Sequence, residues 1–414
     1  MANDMATDID ELIYDPADPS TLRNPHALFA RLRHEDPVHW SEPMSGWVVT
    51  NYDYATEILT DSEVFSAERL TSVRKHLPGP AQNAASEILR WLNHWMVFRD
   101  PPDHTRLRRH MATVLNLPVF ESLRESVRGI VDMLLDKLPR GETIDFIPNF
   151  SIMMPGMVVM DLLGVDRTRL LEVKSWSDDM MLFIGSARGV PDKYDRARRG
   201  ALAMAALFKD LIEQRRVEPK GDILSQLIHS EIDGRQLNDD EIIGSMMMVL
   251  NGGHETTANL LNNSLLALAG NPDQMAVLRS GSGNMVTAVE EFLRFDSPVL
   301  SIGRIVTQDM ELGNKQLTKG ERVFAMLLAA NRDEDVFDDP DRLDVSRNPN
   351  PHMAFGKGNH FCLGTPLARI EGQIALEAII ERYGAISLEG NVDDIPWINS
   401  MVTRGPTRLP LRLT

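Results

Sequence analysis

The sequence contains one cysteine, fewer basic than acidic residues and no long apolar run, and each shortage excludes a class of protein. A single Cys among 414 residues cannot form an internal disulfide or build a zinc–thiolate or iron–sulfur site that needs several thiolates. No stretch of about 18 consecutive apolar residues is present, and the acidic N-terminus lacks the basic flank and apolar core of a signal peptide. The sequence therefore predicts a cytoplasmic protein with no membrane partner.

The charge balance excludes a further class of binding partner. The chain has 43 Lys and Arg against 60 Asp and Glu, which gives a formal net charge of −17. A molecule this acidic repels phosphate backbones, so nucleic acid is a poor candidate partner. The length would allow two or three domains, but no repeat, low-complexity run or linker marks a boundary. We therefore expect one continuous domain over residues 1–414, with about residues 1–20 as an N-terminal extension.

Helical periodicity dominates the first three quarters of the chain. Apolar residues recur at three- and four-residue intervals between Gly, Pro and Asp clusters, which indicates amphipathic helices. Strands are few and short, and the first two form a hairpin. The pattern predicts a mainly α fold of the α+β class. Predicted helices cover residues 25–34, 52–60, 119–138, 151–163, 167–184 and 192–215, with another opening at Pro101-Pro102, and predicted strands cover 38–40, 46–50, 303–307, 310–312 and 322–327.

The longest predicted helix begins after Asn238, which can cap it, and ends at a Gly-Asn-Pro stop after residue 269. At 1.5 Å per residue it is about 48 Å long and crosses the molecule. Its apolar middle contains Gly252-Gly253 and Thr256-Thr257, which weaken the helix locally, and the acid Glu255 lies between them. On this stretch alone two interpretations stay open. One is a close helix crossing that needs small residues, and the other is a groove for a planar ligand lined by an acid and an alcohol.

The single cysteine, Cys362, lies in a glycine-rich segment just before a predicted helix. Gly356 and Gly358 supply a tight turn, Gly364 lets a backbone approach closely, and Pro366 begins an amphipathic helix. Unpaired N–H groups at a helix N-terminus favour a thiolate, because they lower the thiol pKa and donate hydrogen bonds to sulfur. One thiolate is enough for axial coordination of haem iron. The alternative is a buried structural cysteine beside a turn.

The segment FGKGNHFCLG, residues 355–364, resembles the haem-binding signature of the cytochrome P-450 family at every fixed position. Residues 252–257 resemble the family's oxygen-activation motif, and residues 100–109 are similar to the helix that grips the haem propionates. Glu291 and Arg294 match a Glu-x-x-Arg pair, which in the family forms a buried network with an arginine that here would be Arg342. The resemblance covers nearly the whole chain and implies the cytochrome P-450 fold, a helical haem-enclosing domain with small β-sheets.

The resemblance also implies a haem b cofactor and a role for each matching residue. Cys362 would be the proximal ligand of the iron, and Phe355 would pack beside the thiolate. Glu255 and Thr256 would be the catalytic pair that relays protons through water during oxygen activation. Two histidines and two arginines, His104, Arg108, Arg304 and His360, would hold the propionates. The full set of residues expected to bind the cofactor is His104, Arg108, Gly252, Arg304, Phe355, His360, Cys362 and Gly364.

The activity implied by the resemblance is monooxygenation of an organic substrate with O2 and electrons from NAD(P)H. The chain has no dinucleotide fingerprint, so a separate ferredoxin or flavodoxin with its reductase is expected. Arg106, Arg109 and Lys357 would form part of a basic surface for that acidic carrier. A peroxide-driven peroxygenase is one alternative, but it has no need of the Glu255-Thr256 pair. A catalytically silent haem-binding module is another, and it would show a damaged relay or cysteine motif, whereas both are intact.

The segments expected to face the substrate are apolar and rich in methionine, which adapts to irregular shapes. This composition favours a bulky hydrophobic small molecule, such as a terpenoid, fatty acid, steroid or macrolide-like ring, although methionine is also common core filler. Asn251 would offer one polar contact. The residues expected to line the substrate pocket are Met96, Val97, Met181, Met248, Asn251, Val299, Ile302 and Val402.

Overall fold

The computed structural model describes residues 12–70, 79–185 and 190–414, and over these residues the fold is mainly helical with small sheets, as predicted. The helices are α1 (Pro19–Arg23), α2 (His26–Glu35), α3 (Tyr52–Thr60), α4 (Gly79–Leu92), α5 (Asp103–Val114), α6 (Leu117–Ser122), α7 (Arg124–Leu135), α8 (Met153–Leu163), α9 (Leu170–Ile184), α10 (Lys193–Val217), α11 (Ile223–Ile228), α12 (Asp239–Gly270), α13 (Pro272–Arg279), α14 (Met285–Phe295), α15 (Leu327–Ala330) and α16 (Thr365–Arg382).

The strands form a main sheet and smaller ones. The predicted hairpin pairs β1 with β2, and the main sheet has the order β1-β2-β10-β7-β3. Strand β10 runs parallel to β2 and antiparallel to β7. A second sheet has the order β11-β12-β4. The strands are β1 (Val38–Ser41), β2 (Gly46–Val49), β3 (Phe65–Ser66), β4 (Thr143–Asp145), β5 (Glu231–Ile232), β6 (Arg235–Gln236), β7 (Ile302–Val306), β8 (Met310–Leu312), β9 (Lys315–Leu317), β10 (Arg322–Ala325), β11 (Ile386–Leu388) and β12 (Pro410–Leu413).

The long helix α12 begins with the predicted capping box. Asn238 Oδ1 accepts the Glu241 N–H at 3.0 Å, and the Asn238 N–H donates to Glu241 Oε2 at 3.0 Å. Most of the helix is buried, and it packs against α8 and α16. Residues of α12 therefore lie in the middle of the molecule.

One predicted helix is interrupted. The chain from 119 to 138 forms α6 and α7, which are separated at Leu123. Ser122 Oγ donates to the Val119 carbonyl at 2.7 Å, so a side chain competes with the backbone for that acceptor. Spacing of apolar residues does not reveal this competition, because the buried face continues through both helices.

Part of the expected N-terminal extension packs on the rest of the protein, while residues 1–11 lie outside the described residues. Tyr14 is buried, its ring centroid lies 5.5 Å from that of Phe29, and its carbonyl accepts a hydrogen bond from Ser41. Over the described ranges, none of the helices combines the length and apolar character that crossing a membrane requires.

Candidate active site

The cysteine loop has the backbone that its glycines predict. Gly356 and Gly358 adopt φ values of +71° and +66°, a region that favours glycine. A Cβ on Gly358 would also lie 2.7 Å from the Leu59 carbonyl oxygen. The loop is closed by the Cys362 N–H, which donates to the Phe355 carbonyl at 3.1 Å. The two glycines therefore fix where the thiol emerges.

Cys362 precedes α16, as predicted, but its thiol pKa is not lowered. The side chain is accessible, yet protein atoms surround it closely enough that burial raises the pKa. Hydrogen bonds from the backbone of Gly364 and from Thr365, together with the charge of Arg108, act in the opposite direction without prevailing. The expected donors at the helix N-terminus are present, and desolvation outweighs them.

Open space borders the middle of α12. Gly252 is exposed although its helix is largely buried, and no atom lies within 4 Å of the position its Cβ would take. Thr256 Oγ1 donates to the Gly252 carbonyl at 2.8 Å, so the hydroxyl lies on the same side of the helix. The neighbouring Gly253 is different, because a Cβ there would lie 2.7 Å from Val159 Cγ2 on α8. The groove and the close helix crossing are therefore both present, one residue apart.

Glu255 faces a cavity of about 300 Å³ between α12, α9 and the chain near residue 400. Burial raises the pKa of Glu255, while Thr403 Oγ1, which donates to Glu255 Oε1 at 3.0 Å, opposes the shift. Lys174 and Asp178 line the same cavity and form an ion pair at 2.5 Å. The carboxyl therefore lies beside polar groups and a space that can hold water.

The four residues expected to hold propionates form one cluster, whose positive charge comes from its two arginines. His104 and Arg304 are buried, and Arg108 and His360 are partly exposed. His104 and His360 have ring centroids 4.1 Å apart, and burial together with nearby cations lowers their pKa values to about 4 and about 3. Burial lowers the pKa of Arg304 to about 10, and the Arg304 guanidinium donates to the Gly303 carbonyl. Arg108 donates to the Phe361 carbonyl at 2.7 Å.

These residues fit the two propionates of a haem. Among the described residues, neither ring nitrogen of His104 has a hydrogen-bond partner, and Nε2 of His360 has none. Buried polar groups without partners are costly, and buried cations need anions. Together with the accessible thiol and the space at Gly252, the cluster provides one ligand for iron, room for a planar group and donors for its acids.

The sequence interpretation missed a fifth member of this cluster. Arg69 donates to the Gly303 carbonyl at 2.9 Å, and its guanidinium lies 4.7 Å from the centroid of the Phe98 ring. Burial and the charge of Arg304 lower the pKa of Arg69 to about 10. Arg69 follows β3 outside every motif, so no local signal identifies it.

A buried acid on α16 was also missed. Glu371 is 1% exposed, and within the described chain no hydrogen bond of good geometry reaches either carboxylate oxygen. Burial raises its pKa to about 8, with Thr257 of α12 opposing the shift. Helical spacing could have placed Glu371 on the buried face of α16, because it lies four residues after Leu367 and four before Ala375.

The buried Glu-x-x-Arg network is present, but its third member is Arg347. Glu291 and Arg294 are fully buried and form two hydrogen bonds of 2.7 and 2.8 Å. Arg347 Nε lies 3.1 Å from Glu291 Oε2. The prediction of Arg342 was wrong, because the Arg342 side chain is exposed and pairs with Asp339 and Asp344. Only the Arg342 carbonyl joins the network, as an acceptor for Arg294.

Asn251 does not supply the polar contact expected in the substrate pocket. Its Oδ1 accepts from Ser177 Oγ at 2.8 Å, and its Nδ2 donates to the Met247 carbonyl at 2.7 Å. The bond from Ser177 joins α12 to α9 and the bond to Met247 lies within α12, so both groups of the amide are used and this prediction was wrong. Met181 lines the 300 Å³ cavity.

The other predicted pocket residues lie in varied surroundings. Met96 and Met248 are buried in the main core, Val97 is partly exposed, and Ile302 packs in the core of the main sheet. Val299 bridges to Thr403, and the Val402 carbonyl accepts the Leu300 N–H.

The cations expected to form a basic surface are largely paired. Arg106 forms an ion pair with Glu241 at 2.5 Å, and Arg109 forms one with Asp233 at 2.5 Å. Lys357 donates to the hydroxyl of Tyr52 and lies over the same ring. Arg106 and Arg109 therefore present less free positive charge than the sequence suggests.

Comparison with known proteins agrees with this geometry. A model of the family described as Cytochrome P450 matches residues 24–283 and 284–409. Cytochrome P450 107B1 of Saccharopolyspora erythraea is 34% identical over 407 residues, covering 95% of this chain and 96% of the relative. The 6-deoxyerythronolide B hydroxylase of the same organism is 33% identical over 395 residues, covering 94% and 96%.

Solved structures show the same relationship. P450BioI, in complex with an acyl carrier protein ligated to hexadec-9Z-enoic acid, has a TM-score of 0.87 and 30% identity, and the match covers 96% of this chain and 99% of that one. Fold, motif geometry and relatives therefore agree. The chain belongs to the cytochrome P450 family and is a haem b monooxygenase.

Proposed function

We propose that this protein hydroxylates or epoxidises a bulky hydrophobic substrate, with Cys362 as the iron ligand and with Glu255 and Thr256 as the proton relay. The observation that carries the proposal is the open space at Gly252, with the Thr256 hydroxyl beside it on α12. When bound, the haem supplies the oxygen-activating chemistry. The protein supplies the ligand, the orientation of the group and the path for protons.

Orientation comes from the cationic cluster. Arg69, Arg108 and Arg304 carry three permanent positive charges, and Asp100 contributes one negative charge that acts on Arg304. Two propionates would neutralise the remaining charge. His104 and Nε2 of His360 offer donors for the same oxygens, so charge-assisted hydrogen bonds would fix the haem edge.

Proton delivery follows from the positions of neighbouring residues on one helix. Gly252 and Thr256 are four residues apart and share a face, whereas Glu255 is turned by about 100° from Thr256 and faces the 300 Å³ cavity. The raised pKa of Glu255 brings the carboxyl closer to an exchange of protons at neutral pH. Glu255 would take a proton from water in the cavity and pass it through water to the side of α12 that carries the Thr256 hydroxyl.

The relatives support the substrate class, as does the apolar, methionine-rich composition of the segments expected to face the substrate. One relative is named for hydroxylation of 6-deoxyerythronolide B, and one neighbour was solved with a C16 acyl group. We infer a hydrophobic molecule of that kind for this chain. Electrons would come from a ferredoxin or flavodoxin with its reductase, and the protein would work as a single domain in the cytoplasm.

The test is oxygen-isotope incorporation. The haem-loaded protein is supplied with NADH, a surrogate ferredoxin and reductase, ¹⁸O2 and catalase, with hydrophobic compounds chosen by ferric spin-state titration. Product carrying one ¹⁸O atom is expected. Product that forms only when catalase is left out and unlabelled hydrogen peroxide is added would instead establish a peroxygenase, and haem loading with no product by either route would leave a binding protein.

A further inference from the structure

A second ion-pair network lies beside the Glu291–Arg294 pair and leads to the cysteine loop. Glu290, the preceding residue of α14, accepts hydrogen bonds from Arg369 Nε to Oε1 at 2.7 Å and from Arg369 Nη2 to Oε2 at 2.6 Å. Nε2 of His352 lies 3.1 Å from the same Oε2. One carboxylate therefore joins α14, α16 and the segment that precedes the cysteine loop.

The hydrogen bonds show which nitrogen of His352 carries a hydrogen and that Glu290 is a charged carboxylate. The Ala354 N–H donates to Nδ1 of His352 at 3.2 Å, so Nε2 carries the hydrogen that Glu290 accepts. Burial alone would raise the pKa of Glu290, but the bonds from His352 and Arg369 outweigh it and lower the pKa to about 2. The carboxylate is therefore charged at every physiological pH, and its bonds are charge-assisted.

Both partners of Glu290 contact Phe355. The Arg369 guanidinium lies 5.2 Å from the centroid of the Phe355 ring, and the His352 ring centroid lies 6.0 Å from it. The Phe355 carbonyl accepts the Cys362 N–H at 3.1 Å. A continuous set of contacts thus runs from Glu290 through His352 and Arg369 to Phe355, and from Phe355 to the iron ligand.

We propose that Glu290 is a positioning residue for the Cys362 thiolate. By holding Arg369 and His352 against Phe355, it keeps the cysteine loop in the conformation that presents sulfur to the iron. The adjacent Glu291 serves a different network with Arg294 and Arg347, so two consecutive carboxylates on α14 act on separate parts of the protein.

The test uses the haem-loaded protein and the Glu290→Gln variant, which keeps the side-chain size and removes the charge. The reduced carbon monoxide complex has a red-shifted Soret band only while the ligand is an anionic sulfur. We expect this band to be lost about ten times faster or more in Glu290→Gln, since hydrogen bonds to charged groups are typically worth that factor. Arg369→Gln should accelerate the loss to a similar extent, and the double variant should be no faster than the faster single variant.

The matched control is Asp222→Asn, which breaks another buried ion pair, Arg215–Asp222 at 2.6 Å, on elements that carry none of the cofactor residues. It should lower the thermal midpoint and leave the rate of band loss unchanged. The proposal is overturned if Glu290→Gln lowers the midpoint as Asp222→Asn does and keeps the wild-type rate. If Glu290→Gln does not load haem, the rate of band loss in Arg369→Gln tests the proposal instead. The Arg369 side chain is 38% exposed, so its replacement is easier to tolerate. A wild-type rate in that variant also overturns the proposal.

Discussion

Gly252 and Gly253 are adjacent in α12 but have opposite surroundings, since a Cβ would meet no atom within 4 Å at Gly252 and Val159 Cγ2 at 2.7 Å at Gly253. In a helix interior, Gly→Ala is favourable by about 0.5–1 kcal/mol where space allows. Overpacking a core costs about 1–3 kcal/mol. The two glycines therefore serve different purposes, and matched substitutions separate them.

We expect Gly253→Ala to lower the free energy of unfolding by about 1–2 kcal/mol, because the new methyl group displaces Val159. Gly252→Ala should preserve or slightly raise this free energy, while shifting the ferric spin state because its methyl group enters the haem space. Chemical denaturation and absorption spectra measure the two effects. Equal stability losses in both variants would show that Gly252 is also a packing contact.

A second pair of variants distinguishes the two arginines of the 339–347 segment. Arg347→Met removes a cation from the buried Glu291 carboxylate, and breaking a buried pair costs about 3–5 kcal/mol, so haem loading and stability should fall sharply. Arg342→Met removes an exposed pair and should leave stability close to the wild-type value. The measurement is haem content and thermal midpoint of both purified proteins. Larger losses of haem content and thermal midpoint in Arg342→Met than in Arg347→Met would identify Arg342 as the network arginine.

A feature of this protein can be predicted from the sequence when residues close together in the chain determine it. The cap of α12 and the positive φ values of Gly356 and Gly358 are decided within a few residues, and both agree with the sequence. The choice between Arg342 and Arg347 is not local, because it depends on which carbonyls of the loop turn toward Arg294.

The same limit explains the pocket and the missed residues. The sequence does not show whether the Asn251 side chain faces a pocket or another helix. Its hydrogen-bond partner, Ser177, is 74 positions away in the chain. Arg69 and Arg304 belong to different segments that meet only because β3 pairs with β7. Residues joined by tertiary pairing leave no periodic signal in the sequence.

A third prediction concerns Arg69. Arg69→Gln should release haem to an acceptor protein about ten times faster or more, since a charge-assisted hydrogen bond to a propionate would be lost. The control is Arg99→Gln, whose side chain already pairs with Asp103 at 3.2 Å and whose release rate should stay at the wild-type value. Identical rates in all three proteins would remove Arg69 from the propionate cluster.

The fourth prediction is a pH dependence caused by Glu371. Its pKa is about 8 in the folded protein against an ordinary value of 4.5, so the folded state favours the neutral acid. The contribution of the neutral Glu371 side chain to the free energy of unfolding is fully present below pH 4.5. It is lost as the pH rises through 8, at about 1.4 kcal/mol per pH unit between the two values. In Glu371→Gln, the free energy of unfolding measured with urea at pH 5, 6.5 and 8 should decline less with pH than in the wild type. The exposed Glu377→Gln on the same helix should keep the wild-type slope, and a variant Glu371→Gln with that slope would contradict the assignment.

The last prediction concerns the Thr256 hydroxyl, which donates to the Gly252 carbonyl at 2.8 Å and lies beside the open space. Thr256→Ala should still bind haem and substrate and still consume NADH through the redox partner, because neither step needs the hydroxyl. Product per NADH should fall several-fold while hydrogen peroxide rises, since positioned proton transfer is typically worth about 10²–10⁴-fold and water in the space replaces only part of it. Thr256→Ser keeps a hydroxyl and should retain most of the coupling, and turnover driven by added peroxide should suffer less than turnover driven by NADH. If product and peroxide yields per NADH in Thr256→Ala equal those of the wild type, Thr256 has no part in the relay.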